Sequence, residues 1–272
     1  MITGATRVAG VIGDPVRHSL SPVLHNAAYA ALGLDWVFAA FEVRENEAAA
    51  ALDAARALGF VGLSVTMPHK TAVAGLCDDL TAAASTLRSV NTVTFGSEGR
   101  AAGDSTDGAG FLRSLVDAGV DASGRSVLVL GGGGAARAVA YALGECGANV
   151  VVSARRAAAA SEAATPAKGL AVPWDDRENA AASADIVVNA TSVGMAGDAA
   201  LPIPAEALAT VHAVVDLVYE PRETPFLAAA RARGVQAIGG IGMLLHQAAR
   251  QIEIWSGEAA PIEAMRAAVS SR

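Results

Sequence analysis

The feature that most constrains this chain is the string VLVLGGGGAARAVAYALGECG at residues 127–147. An apolar run of strand length passes straight into glycines and then into helix-forming residues. Gly131-x-Gly133-x-x-Ala136 has the GxGxxA spacing of a dinucleotide-binding turn, in the strand-then-helix context that such a turn requires. Gly131 allows the tight turn. Gly133 lets the backbone approach a pyrophosphate, and Ala136 keeps helix and strand close. Gly134 and Ala135 open the helix, whose first N–H groups and positive dipole end attract phosphate. A Gly-rich turn with no ligand is the plainer alternative.

The same alternation runs from end to end. Val/Ile-rich runs at 7–13, 36–43, 60–66, 90–95, 125–132, 149–154, 185–191, 213–219 and 235–240 read as strands. Ala-rich stretches at 21–32, 45–58, 134–145 and 225–233 read as helices. Strands separated by helices of this length predict an α/β fold of βαβ units with a mainly parallel sheet. The 64 alanines suit helices packed closely on sheets. A composition break, GVDASG at 119–124, precedes the most apolar strand. A helix over 106–118 would carry the chain between two lobes. The predicted organisation is an N-terminal α/β substrate domain, 1–105, and a Rossmann-type parallel-sheet domain, 106–240. Helices within 241–272 have no strand after them and would pack back on the first lobe.

Composition removes other classes. The net charge is −7, with 18 arginines and only two lysines, Lys70 and Lys168. With no basic tract, nucleic acid is not an expected partner. No uncharged apolar run reaches the roughly 18 residues of a membrane helix, and no secretory signal is visible. Cys77 and Cys146 stand apart in no CxxC, which fits a reducing compartment, so a cytoplasmic location is expected. The five histidines lack metal-binding spacing, and no metal is expected.

The residues after the second cofactor-domain strand select the nucleotide. An acid there would bind the ribose 2′-hydroxyl of NAD, an arginine the 2′-phosphate of NADP. This chain reads Ser153-Ala154-Arg155-Arg156. NADP is therefore the expected cofactor. Two solvated arginines are the alternative, at a helix start that disfavours cations.

Further polar strings end strands, where open parallel sheets build their sites. Ser19 and Ser21 in GDPVRHSLSP could bind a carboxylate at a helix entry, or Ser21 could simply be the N-cap before Pro22. GLSVTMPHK carries Ser64, Thr66 and Lys70. Lysine can yield a proton where arginine cannot, so Lys70 is a candidate for proton transfer or a plain surface lysine. Asn91 and Asp107 are candidate hydroxyl binders, or a turn residue and a helix cap. Asp107 could also tune Lys70. In the second lobe, Asn189, Thr191 and Ser192 could line the adenosine side. Asp216 and Tyr219 end another strand. Gly239 and Gly240 precede a helix bearing Met243, His246 and Gln247. Met243, Leu244 and Ile252 read as core by residue type.

Together these strings resemble the shikimate dehydrogenase family. The likeness rests, in order, on HSLSP, SVTMPHK, SVNTV, STDGAG, GGGGAARA, NATSVGM and MLLHQA. It spans nearly the whole chain. It implies a two-lobed enzyme that uses NADPH to reduce 3-dehydroshikimate to shikimate reversibly, with a cleft able to close on substrate. The implied catalytic pair is Lys70 and Asp107. The implied substrate residues are Ser19, Ser21, Ser64, Thr66, Asn91, Asp107 and Gln247, with Tyr219 near. The turn from Gly131 to Ala136 would take the pyrophosphate, Arg155 and Arg156 the 2′-phosphate. Gly240 and Met243 would lie near the nicotinamide. A monomer or homodimer acting on a small molecule is expected.

The chain departs from the family pattern at three places. Ser64 stands where Asn is common, Ser105 where NTDG is common, and Ala154-Arg155-Arg156 where Asn-Arg-Thr is common. Quinate or aminoshikimate dehydrogenases share the fold and are the nearest alternatives. A non-catalytic NADP sensor is the alternative outside enzymology, and intact Lys70 and Asp107 argue against it.

Overall fold

The computed structural model describes residues 2–96 and 98–270. Two compact units form: one from the residues up to Thr106 and those from Leu245 on, the other from Asp107–Leu244.

In the first unit, β1 (Arg7–Gly13), β2 (Trp36–Glu42) and β3 (Gly62–Val65) run parallel. The helices α1 (Ser21–Ala31) and α2 (Ala48–Ala57) link them. α3 (Lys70–Ala74), β4 (Asp79–Leu80) and α4 (Ala82–Leu87) follow. β5 (Thr92–Phe95) and β6 (Ala101–Asp104) complete a sheet of order β2-β1-β3-β5-β6-β4. β5 is antiparallel to both β3 and β6, so this sheet is mixed. The link from β5 to β6 is too short for the crossover that parallel neighbours need. β4 and β6 do not read as strands in the sequence, because DL and AAGD lack β-branched residues. Gly103 in β6 is required by packing: a Cβ there would come 2.7–2.9 Å from Val90, Leu80 and Cys77 side chains. Leu63, Val65, Val73, Val90 and Val93 form the core with Leu52.

The second unit begins with α5 (Asp107–Asp117). Its strands are β7 (Ser126–Leu130), β8 (Asn149–Ser153), β9 (Leu170–Val172), β10 (Ile186–Asn189), β11 (Ala213–Asp216) and β12 (Gln236–Gly239). The sheet is wholly parallel, in the order β12-β11-β10-β7-β8-β9. That is the doubly wound order of a dinucleotide-binding fold. Helices α6 (Gly134–Glu145), α7 (Ala157–Ala164), α8 (Arg177–Ala182) and α9 (Pro225–Ala232) join the strands. Both faces are covered, which explains the unbroken apolar run of β7. Val127 and Val129 pack into one core with α6 and α7 residues, Leu128 and Leu130 into another with Phe226 and Leu227 of α9.

α10 (Ile241–Ser256) carries the chain from the second unit back to the first, and α11 (Ile262–Ser270) then packs on α1. No helix among the described residues is long and apolar enough to cross a membrane.

Candidate active site

In the first unit, strand ends gather polar groups at one edge of the sheet. β3 ends there. β5, being antiparallel, begins there; Ser64 pairs with Thr92, and Thr92 with Asp104. This reversal explains why Thr66 follows its strand while Asn91 precedes its own, yet both stand at the same edge. The Thr66 N–H donates to the Ile12 carbonyl at 3.0 Å, and the Val65 N–H to the Asn91 carbonyl at 2.8 Å. Lys70 is the first residue of α3, and its carbonyl accepts from the Val90 N–H at 2.9 Å, beside Asn91. His69 is buried and pins the loop: its Nε2 lies 2.7 Å from the Val43 carbonyl. A carbonyl only accepts, so Nε2 carries the proton.

Asn91 is 2% exposed and joins these strands to the next helix. Its Oδ1 accepts from the Thr106 N–H at 2.8 Å and from the Thr92 hydroxyl at 2.9 Å. Its Nδ2 donates to Thr106 Oγ1 at 3.0 Å. Thr106 directly precedes Asp107, the first residue of α5. Thr106 Oγ1 also donates to the Gln247 carbonyl at 3.3 Å. Gln247, Gln251 and Trp255 recur every fourth residue and so share one face of α10. Trp255 Nε1 donates to the Val93 carbonyl at 3.1 Å. Gln251 reaches Ser64, Asn91 and Thr92. The sequence reading missed Gln251; its place four residues after Gln247 was the available signal.

At the entry to α1, the Ser19 hydroxyl accepts from the Ser21 N–H at 3.2 Å, and Leu20 occupies the N-cap. Ser21 is therefore not the N-cap, contrary to the plainer alternative. It is the first helical residue, because Ser19 already satisfies its N–H. His25 Nδ1 donates to the Ser21 carbonyl at 2.8 Å.

In the second unit a cavity of about 710 Å³ lies over the glycine turn. Gly131, Gly133, Arg155, Arg156, Thr191 and Ser192 line it. Gly131 has φ +122°, and a Cβ there would sit 2.7 Å from the Ala190 carbonyl. The turns after β7 and β10 thus touch where the strand order reverses, the usual nucleotide crevice of this topology. Gly133 caps α6 in extended conformation with open space beside it. Arg155 and Arg156 are exposed, and among the described residues no carboxylate pairs with either. Two unpaired guanidiniums and an open helix N-terminus above a glycine cradle fit a nucleotide bearing an extra phosphate.

Several expected cofactor residues stand behind that wall. The Ser153 hydroxyl is buried and donates to the Pro173 carbonyl at 3.2 Å. Asn189 is fully buried; its Nδ2 donates to Asp216 Oδ1 at 2.9 Å, and its Oδ1 accepts from the Thr191 hydroxyl at 2.6 Å. It therefore shapes the loop that presents Thr191. Burial pushes the Asp216 carboxyl up, against donors from Thr224, the Val218 N–H and Asn189 that hold it down. Gly134 and Ala135 are half-buried in the first turn of α6, and Ala136 is core beneath it. A Cβ on Gly240 would overlap the Leu217 carbonyl, and Met243 packs on the hydrophobic core. Burial, then Glu220, raises the Tyr219 phenol. Trp174 and Asp198 also line the cavity and were not foreseen. Trp174 lies under the Arg177 guanidinium at 4.6 Å, and Asp198 accepts from the Gly194 and Ala200 N–H groups.

Comparison with known proteins gives consistent matches. The shikimate dehydrogenase substrate binding domain matches residues 11–93, and the shikimate 5′-dehydrogenase C-terminal domain matches residues 240–269. Residues 126–219 match the coenzyme F420-dependent NADP oxidoreductase family. The chain is 44% identical to shikimate dehydrogenase (NADP(+)) of Citrifermentans bemidjiense, over 100% of this chain and 97% of the relative. It is 41% identical to that of Methanopyrus kandleri, over 98% and 96%. A solved shikimate 5-dehydrogenase of Thermus thermophilus, in complex with NADP(H) and shikimate, superposes with a TM-score of 0.90 at 37% identity, covering 97% of this chain and 99% of that one.

Proposed function

The chain belongs to the shikimate dehydrogenase family, and from that premise we propose that it interconverts 3-dehydroshikimate and shikimate with NADP(H), using Lys70 as proton donor and acceptor. The observation that carries this reading is the bonded row Ser64, Thr92, Asn91 and Thr106 at one sheet edge, with Lys70 tied to Val90 beside it and Asp107 next in the chain. A polyhydroxylated ring needs several donors and acceptors held rigidly, and this edge supplies them.

When bound, NADPH supplies the hydride that adds to the C3 carbonyl carbon. Arg155 and Arg156 hold its 2′-phosphate, and the turn from Gly131 to Ala136 takes its pyrophosphate. Thr191 and Ser192 bound the same cavity, while Ser153 and Asn189 act from behind it. Ser19 and Ser21 bind the substrate carboxylate at the entry to α1. Ser64, Thr66, Asn91 and Gln247 bind its hydroxyls, with Tyr219 near. As the carbonyl becomes an alkoxide, the Lys70 ammonium stabilises the oxygen and gives it a proton. Asp107 orients Lys70 and accepts from a neighbouring hydroxyl. In the oxidative direction, neutral Lys70 removes the hydroxyl proton as hydride leaves. The domain from Asp107 on holds the cofactor, and the N-terminal domain with the last two helices holds the substrate. The chain acts on small molecules in the cytoplasm, as a monomer or homodimer.

Lys70→Ala should lower kcat by about 10²–10⁴-fold, the range for loss of a general acid–base. The NADP dissociation constant, from fluorescence titration, should stay within about twofold. A variant that keeps its rate would remove Lys70 from the chemistry.

A further inference from the structure

Gln251 has no part in the chemistry above, yet it is fully buried against the polar row. Its Nε2 lies 2.9 Å from Thr92 Oγ1, 3.1 Å from Ser64 Oγ and 3.2 Å from the Asn91 carbonyl. The carbonyl can only accept, so the atom facing it is the amide nitrogen, a donor. Ser64 and Thr92 face each other across β3 and β5, and the one carboxamide bridges that pair.

The nitrogen carries two N–H groups, which these three acceptors share, and the hydroxyl protons of Ser64 and Thr92 are fixed by receiving them. A hydroxyl oxygen that receives an N–H turns its own proton elsewhere. Thr92 sends its proton to Asn91 Oδ1 at 2.9 Å, the atom that the Thr106 N–H already marks as the amide oxygen. Ser64, receiving from Gln251, is left with its O–H to give. The other end of Gln251 is wasted by contrast: among the described residues its Oε1 has no hydrogen-bond partner, although it is buried. A buried acceptor without a partner is unfavourable. A methionine would fill the same volume without that cost, so simple filling does not account for a glutamine here.

We propose that Gln251 is a positioning residue for substrate: it makes Ser64 a hydrogen-bond donor toward the hydroxyls of the ring. The inference rests on the shikimate reading and deepens it.

Steady-state kinetics on the whole chain, varying shikimate and NADP separately, tests it. Gln251→Met should raise the shikimate KM about tenfold and leave the NADP KM within about twofold. With Ser64→Ala already in place, the same substitution should add no more than about threefold, because the bonded partner is gone. Equal rises in both KM values, a fall in kcat at unchanged shikimate KM, or an undiminished effect in the Ser64→Ala background would overturn the role of Gln251. A wild-type chain inactive on shikimate would instead overturn the function, and this inference with it. If Gln251→Met does not fold, a second pair decides. Ser64→Asn alone has no room beside an amide 3.1 Å away and should lose shikimate affinity about tenfold. Adding Gln251→Ala should restore it; no restoration would overturn the proposal.

Discussion

His25 is fully buried, stacked on Phe38 with ring centroids 3.9 Å apart and tilted against Trp255 at 5.6 Å. Burial drives its imidazole down to about 4, opposed by the Ser21 carbonyl and by the Gln251 amide. The Gln251 amide acts on the ring's charge from beyond hydrogen-bond geometry. A lowered folded value means the fold favours the neutral ring. The stability this contributes is therefore complete above the unfolded value of about 6.5 and is lost as pH falls toward 4. Urea unfolding at pH 7 and pH 4.5 should show a smaller acid loss for His25→Gln than for wild type, by on the order of 2–3 kcal/mol. Equal losses would contradict it. At this scale the sequence spoke unevenly. Lys70 stood out as a candidate because lysine is rare in this chain and this one follows a strand at the start of a helix. Gln251 stood out less: its place four residues after Gln247 puts it on the same helix face, but nothing in the sequence shows what lies opposite that face.

At the scale of elements, the start of α7 is where residue type and helix polarity conflict most plainly. Arg156 occupies its N-cap, and Arg155 adjoins it. Cations at a helix N-terminus are unfavourable unless an anion meets them. Replacing either arginine by serine should raise the NADP KM about tenfold, the worth of one charge-assisted bond, and leave the NAD KM unchanged. Thermal unfolding of the ligand-free variants should be no lower than wild type. A parallel rise in both KM values would move the phosphate elsewhere. The strand–turn–helix unit around Gly131 was readable because backbone conformation, close approach and helix polarity each demand a residue type there. β6 was not, because AAGD has strand pairing imposed by its neighbours. The reversal of β5 likewise depends on a short link to a strand the sequence does not announce. Asn189 and Ser153 carry the residue types of a binding wall but spend them on the Asp216 carboxylate and the Pro173 carbonyl. A polar residue at a strand end can serve the loop or the ligand, and sequence alone does not separate the two.

At the scale of the whole molecule, alternation of strand and helix predicted α/β structure, and the second unit carries it as one parallel sheet with a core on each face. The first unit mixes strand directions, which brings Ser64, Thr66 and Asn91 to one edge. A mainly parallel sheet would have placed Asn91 at the opposite end from Thr66. Family membership rests on nearly full-length likeness at 41–44% identity. The most direct test of the account follows nicotinamide absorbance when the purified chain meets shikimate and NADP, with NAD and quinate in parallel. Rapid reduction of NADP with shikimate, at least about a hundredfold faster than any other pairing, is the predicted result. Preferred turnover of quinate, preferred use of NAD, or no reduction with shikimate would contradict it.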